Sequence, residues 1–174
     1  MRAQAQVCSS PASRPRSHSR AEKLRPAYNR SAVRRGLAFD ELGDLLELPL
    51  VAVLATYRRD GSVLLSPVWH RWRDGGFDVA TGRDDVKARH LRRDPRATIL
   101  VYEHAPPYRG VELRGRAVLL ETGAHEAARA LAVRYLGVEA GEAYAAGGGD
   151  DTLIRLEPGE LRAWDFSDEY SAPA

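Results

Sequence analysis

The chain has 174 residues, 44% of them hydrophobic, and a formal net charge of +2, which is room for one domain with a full core and too little for two. Its single cysteine, Cys8, excludes a disulfide framework, a Cys-based zinc site and a core catalytic thiol. No apolar run approaches the ~20 residues of a membrane span or follows the N-terminal arginines as a signal peptide would, so the chain reads as soluble, cytoplasmic and without a membrane partner.

The charge is unevenly divided. Residues 1–36 hold nine Lys or Arg against one acid, Glu22, leaving 17 basic and 23 acidic residues in 37–174. The first 36 residues, rich in Arg, Ser and Pro, have too few large apolar side chains to offset their ordering entropy and read as a disordered basic tail. Three readings of it stay open: a transit peptide, a basic arm for nucleic acid or anionic surfaces, and sequence translated upstream of the functional start. The third is favoured. The domain is expected to occupy 37–174.

From Phe39, apolar residues at 39, 42, 45 and 46 recur at helical spacing, with Asp40 placed to cap and Pro49 to stop a short helix. Val51 to Tyr57 and Val63 to Trp72 read as two strands joined through Arg59, Asp60 and Gly61. After the turn at Asp74-Gly75-Gly76 a third strand runs from Phe77 to Thr81. Asp84 or Asp85 then caps a helix with Val86 and Leu91 facing inward and Lys87, Arg89, Arg92 and Arg93 mostly outward, ended by Asp94-Pro95. Ala97 to Tyr102 reads as a buried strand. Gly110 to Glu121 reads as a long strand with a bend at Gly115.

Thr122 is the expected cap of a helix with a stripe of Ala127, Ala130, Leu131 and Tyr135, ended by Gly137. Residues 138–150 read as a mobile connection. Leu153 to Leu156 and Leu161 to Phe166 are short strands separated by a turn at Pro158-Gly159. Six to seven antiparallel strands with two to three helices and no βαβ alternation predict a mainly β fold, a barrel and not a doubly wound sheet.

Several chemistries are absent. His18, His70, His90, His104 and His125 show no metal-ligand spacing, and His125-Glu126 lacks the second histidine of a zincin helix because Arg129 stands there. Gly147 to Gly149 precede Asp150-Asp151 and not Lys-Ser/Thr, so they form no P-loop. Ser66 lacks a G-x-S-x-G elbow. No metal site is expected and no residue is assigned as catalytic.

The basic helix has two readings on charge alone. One is a solvated face. The other is a phosphate site in which Lys87 acts with Thr81, the Gly82 backbone and the helix N-terminus; Asp84 and Asp85 oppose it. Trp69, Trp72 and Trp164 suit a core or an interface, Trp69 having the best case for a ligand-facing role.

Thr81-Gly82, Lys87, Leu91 and Asp94-Pro95-Arg96, following Ser66-Pro67-Val68-Trp69, make a pattern that resembles the flavin-binding split β-barrel family, the relatives of pyridoxamine 5'-phosphate oxidase, and within it the branch using the deazaflavin coenzyme F420. The likeness covers about residues 38–166. It implies an FMN-binding-protein-like split β-barrel, and a homodimer holding its cofactor in an interface groove. In that groove Thr81, Gly82 and Lys87 hold the phosphate, and Ser66, Pro67, Val68 and Trp69 line the ring. Arg89 and Arg96 become weaker candidates for the anionic tail, with a brace for the helix as the alternative role of Arg96, and His90 stands where the family has Asn. Arg109, where similar proteins bring a loop towards the cofactor of the dimer mate, is either a contact for an acidic substrate or polyglutamate tail or a plain loop arginine.

The implied activity is an oxidoreductase passing a hydride from reduced F420 to a small unsaturated or oxidised substrate, with FMN as the alternative cofactor. A non-catalytic protein storing flavin, F420 or haem is a second class. Nucleic-acid binding through the tail rests on charge alone and ranks last.

Overall fold

The computed structural model describes residues 34–157 and 159–170. The tail up to residue 33, with Cys8, and Pro158 of the expected last turn lie outside them. The described fold takes in Arg34–Gly36, which composition puts in the tail. Arg34–Arg35 is a strand, β1, paired with Asp165 and Trp164, and the Gly36 N–H donates to Ala163 O at 3.0 Å.

Eight more strands follow: β2 (Ala52–Tyr57), β3 (Val63–Val68), β4 (Arg71–Arg73), β5 (Gly76–Gly82), β6 (Arg96–Tyr102), β7 (Gly110–Leu120), β8 (Asp151–Leu156) and β9 (Glu160–Asp165). Four helices are peripheral: α1 (Val86–Arg93), α2 (Ala124–Leu136), α3 (Val138–Ala146) and α4 (Ser167–Tyr170). Every pairing is antiparallel, in the order β3-β2-β6-β7-β8-β5-β4. The path is open, and its two end strands, β3 and β4, are consecutive in the chain, separated only by Trp69 and His70. This is a mainly β split barrel with peripheral helices.

Period-2 alternation explains the core. Ala52, Leu54 and Thr56 of β2 and Ala97, Ile99 and Val101 of β6 point inward to Phe77, Val79, Leu113, Ile154 and Leu156. β7 serves both halves: Gly110 to Arg114 pair with β9, and Ala117 to Leu120 pair with β8 along the same edge. The changeover is at Gly115, where a Cβ would sit 2.7 Å from the Glu157 carbonyl oxygen, so a side chain is excluded at the expected bend.

Several elements differ from expectation. The first helix is a short 3-10 turn, Phe39–Leu42, closed by Glu41 accepting from the Ala38 N–H at 2.9 Å and not capped by Asp40; Gly43 at φ +59° ends it. The run from Val63 to Trp72 is two strands, because the chain leaves β2 after Val68 and joins β5 from Arg71. Val86 is exposed, and Ala88 joins Leu91 in facing the sheet. Gly123, not Thr122, precedes α2. Residues 138–146 form a helix: Gly141 lets α3 lie against α2, since a Cβ there would approach Val133 Cα to 2.4 Å.

A buried charge cluster ties β4, β5 and β8 together. The Asp78 side chain on β5 has no exposure and accepts from Arg71 and Arg73 of β4 at 3.0 Å each and from Arg155 of β8 at 3.0 Å. Burial pushes its pKa up, but hydrogen bonds from Arg155, Arg73 and Arg71 outweigh that and hold it below the usual carboxylate value. Asp78→Ala is expected to cost about 3 kcal/mol in urea unfolding, from the unbalanced guanidiniums it leaves. In the wild type this contribution is complete above about pH 4 and falls away as pH drops through the lowered pKa; a variant as stable as wild type at neutral pH contradicts the assignment.

Candidate functional site

A cleft of about 590 Å³ opens where the split ends of the barrel meet the α2–α3 hairpin, within the size range of small-ligand sites. One wall is Val51, the end of β3 at Pro67 and Val68, and Trp69. The floor is the end of β5, Ala80 to Gly82, with Asp85 and Lys87 beside it at the start of α1. The remaining lining comes from His125, Ala128 and Leu131 of α2, the glycines 147–149, and Tyr144 of α3, which packs on Trp69.

Six of the expected residues are thus brought together: Pro67, Val68, Trp69, Thr81, Gly82 and Lys87. Strand β5 delivers Thr81 and Gly82 because it is buried along most of its length and pairs with β8 through Gly82 opposite Asp151. Trp69 is fixed from behind. Tyr135 of α2 stacks on it at 5.2 Å and 13°, and Tyr144 meets it at 5.5 Å and 58°. The Tyr135 hydroxyl accepts from the His70 N–H at 3.1 Å and donates to Leu50 O at 2.7 Å, so one side chain joins the entry to β2, the corner between β3 and β4, and the helix.

The polar end is occupied by a carboxylate of the chain itself. Asp85 Oδ2 accepts from the Thr81 hydroxyl and lies 2.8 Å from Lys87 Nζ. Hydrogen bonds from Lys87 and then Thr81 lower the Asp85 pKa, so it is ionised at neutral pH. The residue that sequence reasoning counts against a phosphate site therefore sits on the two donors such a site needs.

The other four expected residues lie elsewhere. Ser66 is on β3 opposite Leu54, on the face away from Pro67. His90 Nδ1 and Thr56 Oγ1 are 3.1 Å apart, which fastens α1 to β2. Arg89 folds back to donate to the Asp84 carbonyl. Arg109 is held by Glu103 at 2.6 Å, Asp44 at 2.8 Å and Leu42 O at 3.3 Å, with its pKa raised first by Glu103 and opposed by burial; it braces the loop after the 3-10 turn.

His125, Tyr144 and Asp151 line the cleft and were not singled out as site residues. The signal for Tyr144 was the small residue at 141, which lets α3 pack on α2. Among the described residues there is no cluster of three or more His, Cys, Asp or Glu suited to a metal ion, and no helix is long and apolar enough to cross a membrane.

A split β-barrel with a cleft between strand ends and a helical hairpin defines a class of small cofactor-binding folds. Residues 38–165 match the family described as pyridoxamine 5'-phosphate oxidase, and the chain belongs to that family. An F420 reductase structure is similar over 68% of this chain and 93% of its own, at 27% identity and TM-score 0.58. A conserved hypothetical protein from Mycobacterium tuberculosis shares the fold over 85% of this chain and 95% of its own, at 24% identity and TM-score 0.68. So does an FAD-binding protein from Mesorhizobium loti, over 76% and 97%, at 20% identity and TM-score 0.57. No curated protein matches the chain.

His70, behind Trp69, is fully buried between Phe77 and Tyr135, and neither ring nitrogen has a hydrogen-bond partner. Burial, then the nearby Arg134 charge, lowers its pKa to about 4, against a weaker pull from the Leu50 backbone. The imidazole is neutral in the fold, so the unfolded chain binds the extra proton between about pH 6.5 and 4, and stability is expected to fall by up to about 3 kcal/mol across that window. An NMR titration of the His70 ring with a midpoint near 6.5 contradicts this.

Proposed function

We propose that the protein is a homodimeric oxidoreductase that binds reduced coenzyme F420 in the cleft and acts on a small unsaturated or oxidised substrate. The observation that carries this reading is the two-ended cleft, with Thr81, Gly82 and Lys87 at one end and Pro67, Val68 and Trp69 at the other. The similarity to an F420 reductase supports the choice of deazaflavin.

The residues present fit such a group. The cleft has the volume for a flat heterocycle, an apolar wall to cover one face, and an ammonium and a hydroxyl for a phosphate. When bound, the cofactor supplies a hydride to the substrate. The chain's own part is to bind and orient: Lys87 and Thr81 anchor the phosphate end, Pro67 to Trp69, with Tyr144 packed on Trp69, set the ring plane, and the glycines 147–149 border the cleft beside it.

The dimer is supported by an apolar strip on the edge strand β3. Val63 and Leu65 are 46% and 64% exposed, and the strip continues through exposed Pro67 into the cleft. Covering it with a second copy closes the cleft mouth. Leu65→Asp is expected to shift the sedimentation mass from dimer to monomer and to weaken cofactor binding at least tenfold; a variant that stays dimeric with unchanged affinity removes β3 from the interface.

Fluorescence titration of the full chain with F420 and with FMN tests the cofactor. Selective F420 binding is expected, and preference for FMN moves the assignment to the flavin branch. Lys87→Ala is expected to keep the dimer and weaken the preferred cofactor by about 1–3 kcal/mol, the range for a charge-assisted hydrogen bond. Unchanged affinity removes Lys87 from the site.

A further inference from the structure

The polar end of the cleft is poor in positive charge. Lys87 is the only Lys or Arg among the described residues lining it, against two carboxylates, Asp85 and Asp151. The nearest arginines of the same segment are engaged outside it: Arg83 pairs with Glu121 at 2.6 Å and Asp150 at 2.8 Å, and Arg89 turns to the Asp84 carbonyl. Lys87 and Thr81 both already face Asp85 Oδ2. An incoming anion must share these donors with a fixed negative charge or displace it.

We infer that Asp85 is a specificity-determining residue that selects the charge class of the ligand, admitting a monoanionic phosphodiester and discriminating against a dianionic phosphate monoester. The inference rests on the reading of this cleft as the cofactor site. The lining carries one positive charge, on Lys87, against two negative charges, on Asp85 and Asp151, so its net field opposes an anion, and opposes a dianion about twice as strongly as a monoanion. FMN ends in a monoester, doubly charged above its second pKa of about 6; F420 carries its phosphate as a diester. At the phosphate itself, the same carboxylate therefore separates the two cofactors, the further anionic groups of an F420 tail being carried beyond the diester.

Asp85 also precedes α1 as its N-cap, with no side-chain bond to the helix backbone. Asn and Ser are equally good caps, so the charge can be removed without loss of the helix start.

The test uses the full chain, wild type and Asp85→Asn, at about pH 8, where a monoester is dianionic. Methyl phosphate and dimethyl phosphate are titrated in turn, followed by the Gly82 amide shift. Asp85→Asn is expected to tighten methyl phosphate by about tenfold and dimethyl phosphate by less than about threefold, a change in the ratio that a structural role does not produce. Asp85→Ser gives the same reading if the amide disturbs the Thr81 contact. Equal tightening of both esters, no tightening, or no binding of either ester to any of the three proteins overturns the inference. Failure of the cofactor assignment is read separately, as absence of F420 and FMN binding to the wild type.

Discussion

The Asp78 carboxylate, buried on β5 and held by arginines from the strands on both sides, is the interaction on which the site depends. Taking a carboxylate out of water is costly, and three guanidiniums are what make it tolerable in the ionised form. Their donors come from β4 and β8, so the cluster fixes the register of both neighbours on β5. Thr81 and Gly82 lie three and four residues further along the same strand. The position of the cleft floor follows from that register.

The second constraint is aromatic. Trp69 stands at the corner where the chain passes from one end of the sheet to the other, and it lies between Tyr135 of α2 and Tyr144 of α3. The helical hairpin packs through Gly141, whose missing side chain lets the two helices approach. The barrel supplies one wall of the cleft and the hairpin the other. Neither half alone encloses a ligand, and in the homodimer we propose a second copy over the exposed β3 strip completes the enclosure.

Most strands were legible because each carries its own signal, but β1, two arginines inside the basic stretch, was not. Alternation in AVLATY and RATILVY, a turn with Gly61, and the bend at Gly115 needed no tertiary knowledge. The corner at Trp69-His70 was not legible, since both residues continue the β-rich pattern and only pairing with β5 reveals the change of partner. Helix α3 was hidden by its small residues and by the glycines after it, which suggest a loop until α2 is there to pack on. Of the cleft lining, Thr81, Lys87 and Pro67 to Trp69 are picked out by motif order. His90, Arg89 and Arg109 lie outside that lining, and their contacts within the chain, with Thr56, Asp84, Glu103 and Asp44, are not readable from spacing. Asp85 was recognised as opposing a phosphate; that it bonds to both Thr81 and Lys87 is geometry that no spacing rule supplies.

A structure of the protein with F420 or FMN bound tests the central claim most directly. The account places the cofactor phosphate between Thr81 and Lys87, with Asp85 turned from Lys87 and the ring against Pro67 to Trp69. A cofactor bound away from the end of β5, or with the Asp85–Lys87 pair intact and the phosphate in solvent, contradicts it.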